Sequence, residues 1–246
     1  MRFNRQNKKS HWDQDCLLEG YVHNFLEANK VYEKMDAKEY IEDKERQILG
    51  IDIISEKFHN IDEKACACQL PTFCLELSGH IRSLQDAINS GWLFKTHSLT
   101  DHIVLEWATI QHPTGSIQGD KEAIILENGK NIVSVELVVI NVAEIQRYVL
   151  NYFEQDELTE EFLQKIRAFK TYGERKRFLV QAGEVVELTD KLKKEEQPFM
   201  WLCVSGQLAE SPINVVVSKK FLTTIALTHW LVTKEGVMDV RTRKLI

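Results

Sequence analysis

The chain has 246 residues, 43% hydrophobic and 28% charged, with only 11 glycines and 4 prolines, a balance that supports a hydrophobic core and excludes collagen-like or extensively disordered classes. Its 31 basic and 37 acidic residues leave a formal charge of -6, so no global basicity marks it as a binder of polyanions. No run of about 18 apolar residues occurs, residues 1–9 are basic and polar without the apolar run of a secretory signal, and the five cysteines are odd in number; the expectation is a cytoplasmic protein with reduced thiols and no membrane span.

In chain order, residues 15–34 carry Leu17, Leu18, Tyr21, Val22, Phe25 and Tyr32 at helical spacing, which predicts an amphipathic helix with Asp13 or Asp15 as its N-cap. The charged run 36–46 predicts a solvated helical turn or a loop over a site. Strands are predicted over 47–55, 58–68 and 72–78 from their β-branched and alternating composition, then a short helix at 81–88. Gly91-Trp92 opens a predicted strand to residue 97, and 101–111 reads as another, carrying Trp107. Segments 122–126 and 131–140 flank the turn signal Asn128-Gly129, as in a hairpin with a loop lengthened by Lys130. Helices follow over 142–153 and 159–168, the second capped by Thr159. Strands are expected at 178–188, 199–204 and 213–217 and an apolar helix at 220–231; the polar run 190–197 is the one plausible boundary.

The stretch that carries chemistry is Ile51-Asp52-Ile53, then Ile61-Asp62-Glu63-Lys64-Ala65, then Thr72 to Leu77. Side chains alternate across a strand, so Asp62 and Lys64 share one face and Ile61, Glu63 and Ala65 the other. A ten-residue separation lets a strand bearing Asp52 fold back beside this one, bringing two carboxylates together next to one lysine. Asp52 also stands within an apolar strand, where an unpaired charge costs several kcal/mol, so a metal or a partner is expected there. Hard oxygen donors suit Mg²⁺ or Mn²⁺, which stabilise a phosphorane-like transition state and acidify bound water. Lys64 would position that water and offset phosphate charge. Glu76 alternates with Phe73, Leu75 and Leu77 and is a candidate third acid. Gln47 is a candidate for orienting a water or phosphate, with a hydrogen bond to the backbone as its plainer role.

These residues resemble the PD-(D/E)XK nuclease superfamily. Asp52 matches the first acid and Asp62-Glu63-Lys64 the tripeptide, with Glu63 as the variable middle residue; Ile51 stands where a proline often precedes the first acid. With Gln47 to Asp52, Thr72 to Leu77, Gly91-Trp92 and residues 100–107 included, the likeness narrows to nuclease-like proteins of bacteria and their mobile elements and covers roughly the first half of the chain. The resemblance implies a restriction-endonuclease-like α/β (α+β) fold, a mixed sheet flanked by helices in residues 1–153, with a C-terminal α/β extension, 154–246, packed on it. It implies a metal-dependent nuclease that hydrolyses phosphodiester bonds in DNA, with Asp52 and Asp62 as metal ligands, Asp52, Asp62, Lys64 and Glu76 as catalytic residues, Mg²⁺ or Mn²⁺ as cofactor, and nucleic acid and a second copy of the chain as partners. A helical acid commonly precedes the motif; Glu19, Glu27, Glu42 and Glu45 all qualify. The alternatives are a nuclease-like fold that only binds nucleic acid or a protein, and a structural ion pair between Asp52 and Lys64.

Other features have plainer readings. Cys66-Ala67-Cys68 is spaced too closely for paired zinc ligands. Trp92 and Trp107 read as core rather than stacking platforms. The basic residues Lys170, Arg175, Lys176, Arg177, Lys219 and Lys220 form clusters of the kind usually found solvated, and His97, His102 and His112 carry no assigned role.

Overall fold

The computed structural model describes residues 12–41, 43–67, 70–78, 91–95, 97–112, 117–169, 175–205 and 212–246. The helix predicted at 81–88, and Glu42, Cys68 and Lys170, lie outside the described residues. The chain divides into two compact units, one of residues 13–73, 97–145 and 218–246, the other of 1–12, 74–96 and 146–217. Each therefore draws on chain from both sides of residue 153.

In the first unit, α1 (Trp12–Ala28) runs on to a single turn, α2 (Val31–Lys34), after a break at Lys30, whose φ of 58° is left-handed. Asp13 and Asp15 fall inside the first turn of α1, where their charge complements the helix dipole, instead of capping it. The charged run becomes an edge strand, β1 (Ala37–Tyr40), and a short helix, α3 (Lys44–Ile48), started by Asp43, whose side chain accepts from Glu45 N at 3.0 Å. The strand expected over 47–55 is thus only β2 (Ile53–Ser55). Gln47 ends α3, and Gly50, at φ 78°, turns the chain into Ile51 and Asp52. The apolar residues of that stretch fit both a helix end and a strand, and the Asp43 cap decides for the helix.

Then come β3 (His59–Ala67), β4 (Thr72–Ser78), β5 (His102–Ile110), α4 (Ile117–Leu126) and β6 (Ile132–Asn141). Asn128-Gly129 is a helix stop, not a hairpin: both residues are left-handed, and Gly129 N donates to Ile124 O at 2.8 Å, which satisfies a carbonyl at the end of α4. Trp92 to Phe94 form a 3-10 turn instead of the expected strand, because Gly91 N donates to Leu77 O and the glycine rests on the Glu76 carbonyl, leaving no room for a Cβ. The chain continues through α5 (Val142–Tyr152), α6 (Glu160–Ala168), β7 (Arg175–Gln181), β8 (Glu184–Glu187), α7 (Asp190–Glu196), β9 (Met200–Ser205), β10 (Ile213–Ser218), α8 (Lys219–Ile225), β11 (Thr228–Thr233), β12 (Gly236–Asp239) and β13 (Lys244–Leu245). Thr159 caps α6 as read from the sequence, accepting from Phe162 N at 3.1 Å. The helix expected over 220–231 stops at Ile225, and Thr228 to Leu231 instead begin β11, which pairs with β6.

The first unit carries a mixed eight-stranded sheet, β1-β2-β3-β5-β6-β11-β12-β13, parallel between β3 and β5 and antiparallel elsewhere. Leu18, Val22 and Leu26 of α1 bury their stripe against Ile61, Val104, Leu137 and Trp230 on one sheet face. β5 and β6 are buried along most of their length, the mark of central strands covered on both faces. Residues 228–245 thus complete the main sheet.

The other unit holds a five-stranded sheet, β4-β10-β9-β7-β8, with Leu179, Leu188, Trp201, Cys203 and Val216 in a small core of its own. Glu76 stands on β4 and so belongs to this sheet, not to the one that carries Asp62. Among the described residues no helix is long and apolar enough to cross a membrane, and Cys16, Cys74 and Cys203 are in no disulfide.

Candidate carboxylate and lysine site

β2 and β3 are antiparallel with Ile53 opposite Ile61, so the residues preceding and following them, Asp52 and Asp62, meet across the strands. Asp62 is 5% exposed, and its carboxyl hydrogen-bonds Asp52. Lys64 Nζ donates to Asp62 Oδ1 at 2.7 Å and to the Glu63 carbonyl at 2.8 Å. Asp52 Oδ2 accepts from Glu63 N at 2.8 Å. Strand alternation therefore assembles the three groups read from the sequence; the lysine pairs with Asp62, whereas the ion-pair alternative placed it on Asp52.

Burial pushes the Asp62 carboxyl up to about 7, with Lys64 opposing and the Asp52 charge and hydrogen bond adding to it. Burial alone would lower the Lys64 ammonium, but Asp62, Glu19 and Asp52 outweigh it and hold Lys64 above its ordinary value. Glu19 of α1 is also pushed up to about 7, by burial first, against the pull of Lys64 and with the charges of Asp52, Asp15 and Glu63 adding. Of the helical acids that spacing left open, Glu19 interacts with Lys64 and Asp52, and Glu42 lies outside the described residues. Glu27 and Glu45 are exposed.

A cleft of about 310 Å³ opens beside Asp52, lined by Glu19, Gly20, His23, Tyr40, Ile41, Gln47, Asp52 and Glu63, with Asp62 and Lys64 not among its lining residues. Gln47 Nε2 donates to the Ile41 carbonyl at 2.8 Å, the backbone role expected of it, while its side chain still borders the cleft. Glu63, on the opposite face of β3 from Asp62, accepts from Tyr32 Oη at 2.6 Å and lies 2.8 Å from His23 Nδ1. Burial works to lower the His23 imidazole, but its hydrogen bond to Glu63 and the charge of Glu63 raise it overall. Glu106, 1% exposed on β5, is held well above the carboxylate range by burial first and then by the charge of Glu63, to which it is hydrogen-bonded. Among the described residues its Oε1 has no hydrogen-bond partner. His23, Tyr32 and Glu106 escape a reading by sequence because each meets Glu63 from 31 to 43 positions away; an acid in the middle of an otherwise apolar strand was the one visible signal for Glu106.

Several of the remaining candidates take internal partners. Trp107, 1% exposed, donates from Nε1 to Thr72 O at 3.2 Å, as a core tryptophan does. Lys219 pairs with Glu136, Lys176 with Glu187 and Arg177 with Asp190, and Arg175 Nε donates to Cys203 Sγ at 3.0 Å. His102 is buried and donates from Nδ1 to Phe58 O at 2.6 Å. His97 and His112 are exposed.

Among the described residues no group of three or more His, Cys, Asp or Glu side chains is arranged to hold a metal ion. The converging donors are two, Asp52 and Asp62. That number suits hydrated Mg²⁺, which takes one or two carboxylates and keeps several waters. Comparison with family models, with curated proteins and with solved structures gives no match.

Proposed function

We propose that this chain is a Mg²⁺- or Mn²⁺-dependent nuclease that hydrolyses phosphodiester bonds in DNA, and that its eight-stranded sheet is a restriction-endonuclease-like core. The observation that carries the reading is the meeting of Asp52 and Asp62 across two antiparallel strands with Lys64 Nζ 2.7 Å from Asp62. The choice of DNA rests on the family resemblance. Asp52 and Asp62 would hold the cation, which supplies positive charge to a phosphate oxygen and acidifies a bound water. Lys64 carries its charge at the edge of the carboxylate pair, where it orients the attacking water and offsets the charge gathering on the phosphorane. Glu19, titrating about 7, accepts the proton that the water loses as the new phosphorus–oxygen bond forms; the leaving oxygen takes its proton from solvent. Glu76 stands on β4 in the other sheet, and this reading assigns it no step.

Incubation of the purified protein with plasmid DNA tests the proposal. Cleavage should require Mg²⁺ or Mn²⁺, stop with a chelator, and disappear in Asp62→Ala and Asp52→Asn variants whose circular dichroism matches the parent. A folded parent chain that leaves DNA intact with either metal would overturn it, and so would cleavage that survives Asp62→Ala.

A further inference from the structure

Glu63 has no part in the cleavage reaction proposed above, yet it is the most heavily anchored residue of the tripeptide. It is 8% exposed, and both of its carboxylate oxygens are engaged, Oε1 by Tyr32 Oη at 2.6 Å and Oε2 by His23 Nδ1 at 2.8 Å. Tyr32 Oη and His23 Nδ1 are themselves 2.9 Å apart, and the two rings stack with centroids 4.8 Å apart, so the pair forms one rigid clamp. Glu106 adds a hydrogen bond from the neighbouring strand.

The main chain of the same residue serves the opposite side of the strand. β2 begins only at Ile53, and beside its end the Glu63 N–H finds the Asp52 carboxylate at 2.8 Å. The Glu63 carbonyl receives Lys64 Nζ at 2.8 Å. The peptide units on either side of Glu63 thus hold two of the three groups of the site, and the side chain between them is fixed by helical residues packed on the other face.

We infer that Glu63 is a positioning residue: clamped by Tyr32, His23 and Glu106, it fixes the peptide groups that orient Asp52 and Lys64. Its effect on turnover rests on the nuclease reading, while its effect on the geometry of Asp52 does not. Groups that orient a metal ligand from behind typically contribute 10- to 100-fold to affinity or activity.

The test compares Glu63→Ala, Glu63→Gln and Tyr32→Phe in the full chain by amide hydrogen exchange and by kinetics. Glutamine keeps an acceptor for Tyr32, and its amide N–H can meet His23 Nδ1 once the neutral ring carries its proton on Nε2, so it should rescue much of what alanine loses. The position-63 amide, protected in the parent by Asp52, should exchange about tenfold faster in Glu63→Ala and Tyr32→Phe, with the amides of β6 unchanged, and stay near the parent rate in Glu63→Gln. In parallel, kcat should fall about tenfold or more with KM held in the first two variants and recover in the third. Should the parent not cleave DNA, the nuclease reading fails and amide exchange alone judges the clamp. Unchanged exchange at position 63 in both Glu63→Ala and Tyr32→Phe overturns the inference. Exchange that rises uniformly across β3 to β6 overturns it too, since that is general loosening.

Discussion

The Asp62 carboxyl, ordinarily near 3.8, stays protonated to about 7 because burial penalises its charge more than Lys64 rewards it, with Asp52 adding to the penalty. Between those values the folded chain binds a proton that the unfolded chain has released, so this group's contribution to stability falls as pH rises through the window. Glu19, raised from 4.5 to about 7, acts with the same sign. The loss of urea stability between pH 5 and pH 8, measured in chelator, should therefore be smaller in Asp62→Asn than in the parent. A cation held by Asp52 and Asp62 competes with the same proton, so Mn²⁺ affinity should rise from pH 6 to pH 8 with release of a proton, measurable by calorimetry in two buffers of different ionisation enthalpy. Affinity that is flat over this range would separate the cation from Asp62. The tripeptide, its alternation and the meeting of Asp52 with Asp62 were legible from residue types and a ten-residue spacing. The identity of the helical acid was not, because four glutamates satisfy the same spacing.

At the scale of elements, local signals with a single physical meaning read correctly and those with two did not. Thr159 followed by Glu160 and Glu161 has one use, a helix start, and Thr159→Ala should lose about 1 kcal/mol in chemical denaturation. Asn128-Gly129 serves equally as a hairpin turn or a helix stop, and the choice turned on whether residues 117–126 had a core to face; Ile124 is fully buried in it. Gly50 shows how an element end serves the site. At φ 78° it turns α3 toward Asp52, its carbonyl accepts from Thr100 Oγ1 at 2.7 Å, and a Cβ there would strike that hydroxyl. Gly50→Ala should cost at least roughly 1–2 kcal/mol from the left-handed backbone, the collision adding to it. It should also weaken Mn²⁺ binding more than Thr159→Ala, which lies in the other unit.

Across the whole molecule, a cation that binds only the folded state stabilises it by mass action, by about 2.7 kcal/mol at a hundred times Kd. For a chain of this size each kcal/mol corresponds to roughly 2–4 °C in Tm. Scanning calorimetry should show such a rise with Mn²⁺ in the parent and none in Asp52→Asn or Asp62→Asn; an equal rise in all three would place the ion elsewhere. The charge of -6 does not conflict with a polyanionic substrate, since a cation at the carboxylate pair offsets part of it, although it lowers the expected non-specific affinity. By itself the sequence determined the mixed α/β class, the extent of β3, β4 and β6 to within a residue or two, and the convergence of Asp52, Asp62 and Lys64, because each follows from a backbone period or a near spacing. Only the tertiary structure decided that β4 carries Glu76 into a second sheet, that β11 to β13 return to the first, that Glu19 of α1 comes within the influence of Lys64, and that Tyr32, His23 and Glu106 close on Glu63. Those outcomes depend on which strand edges and helix faces meet across tens of residues, and no local period encodes that choice.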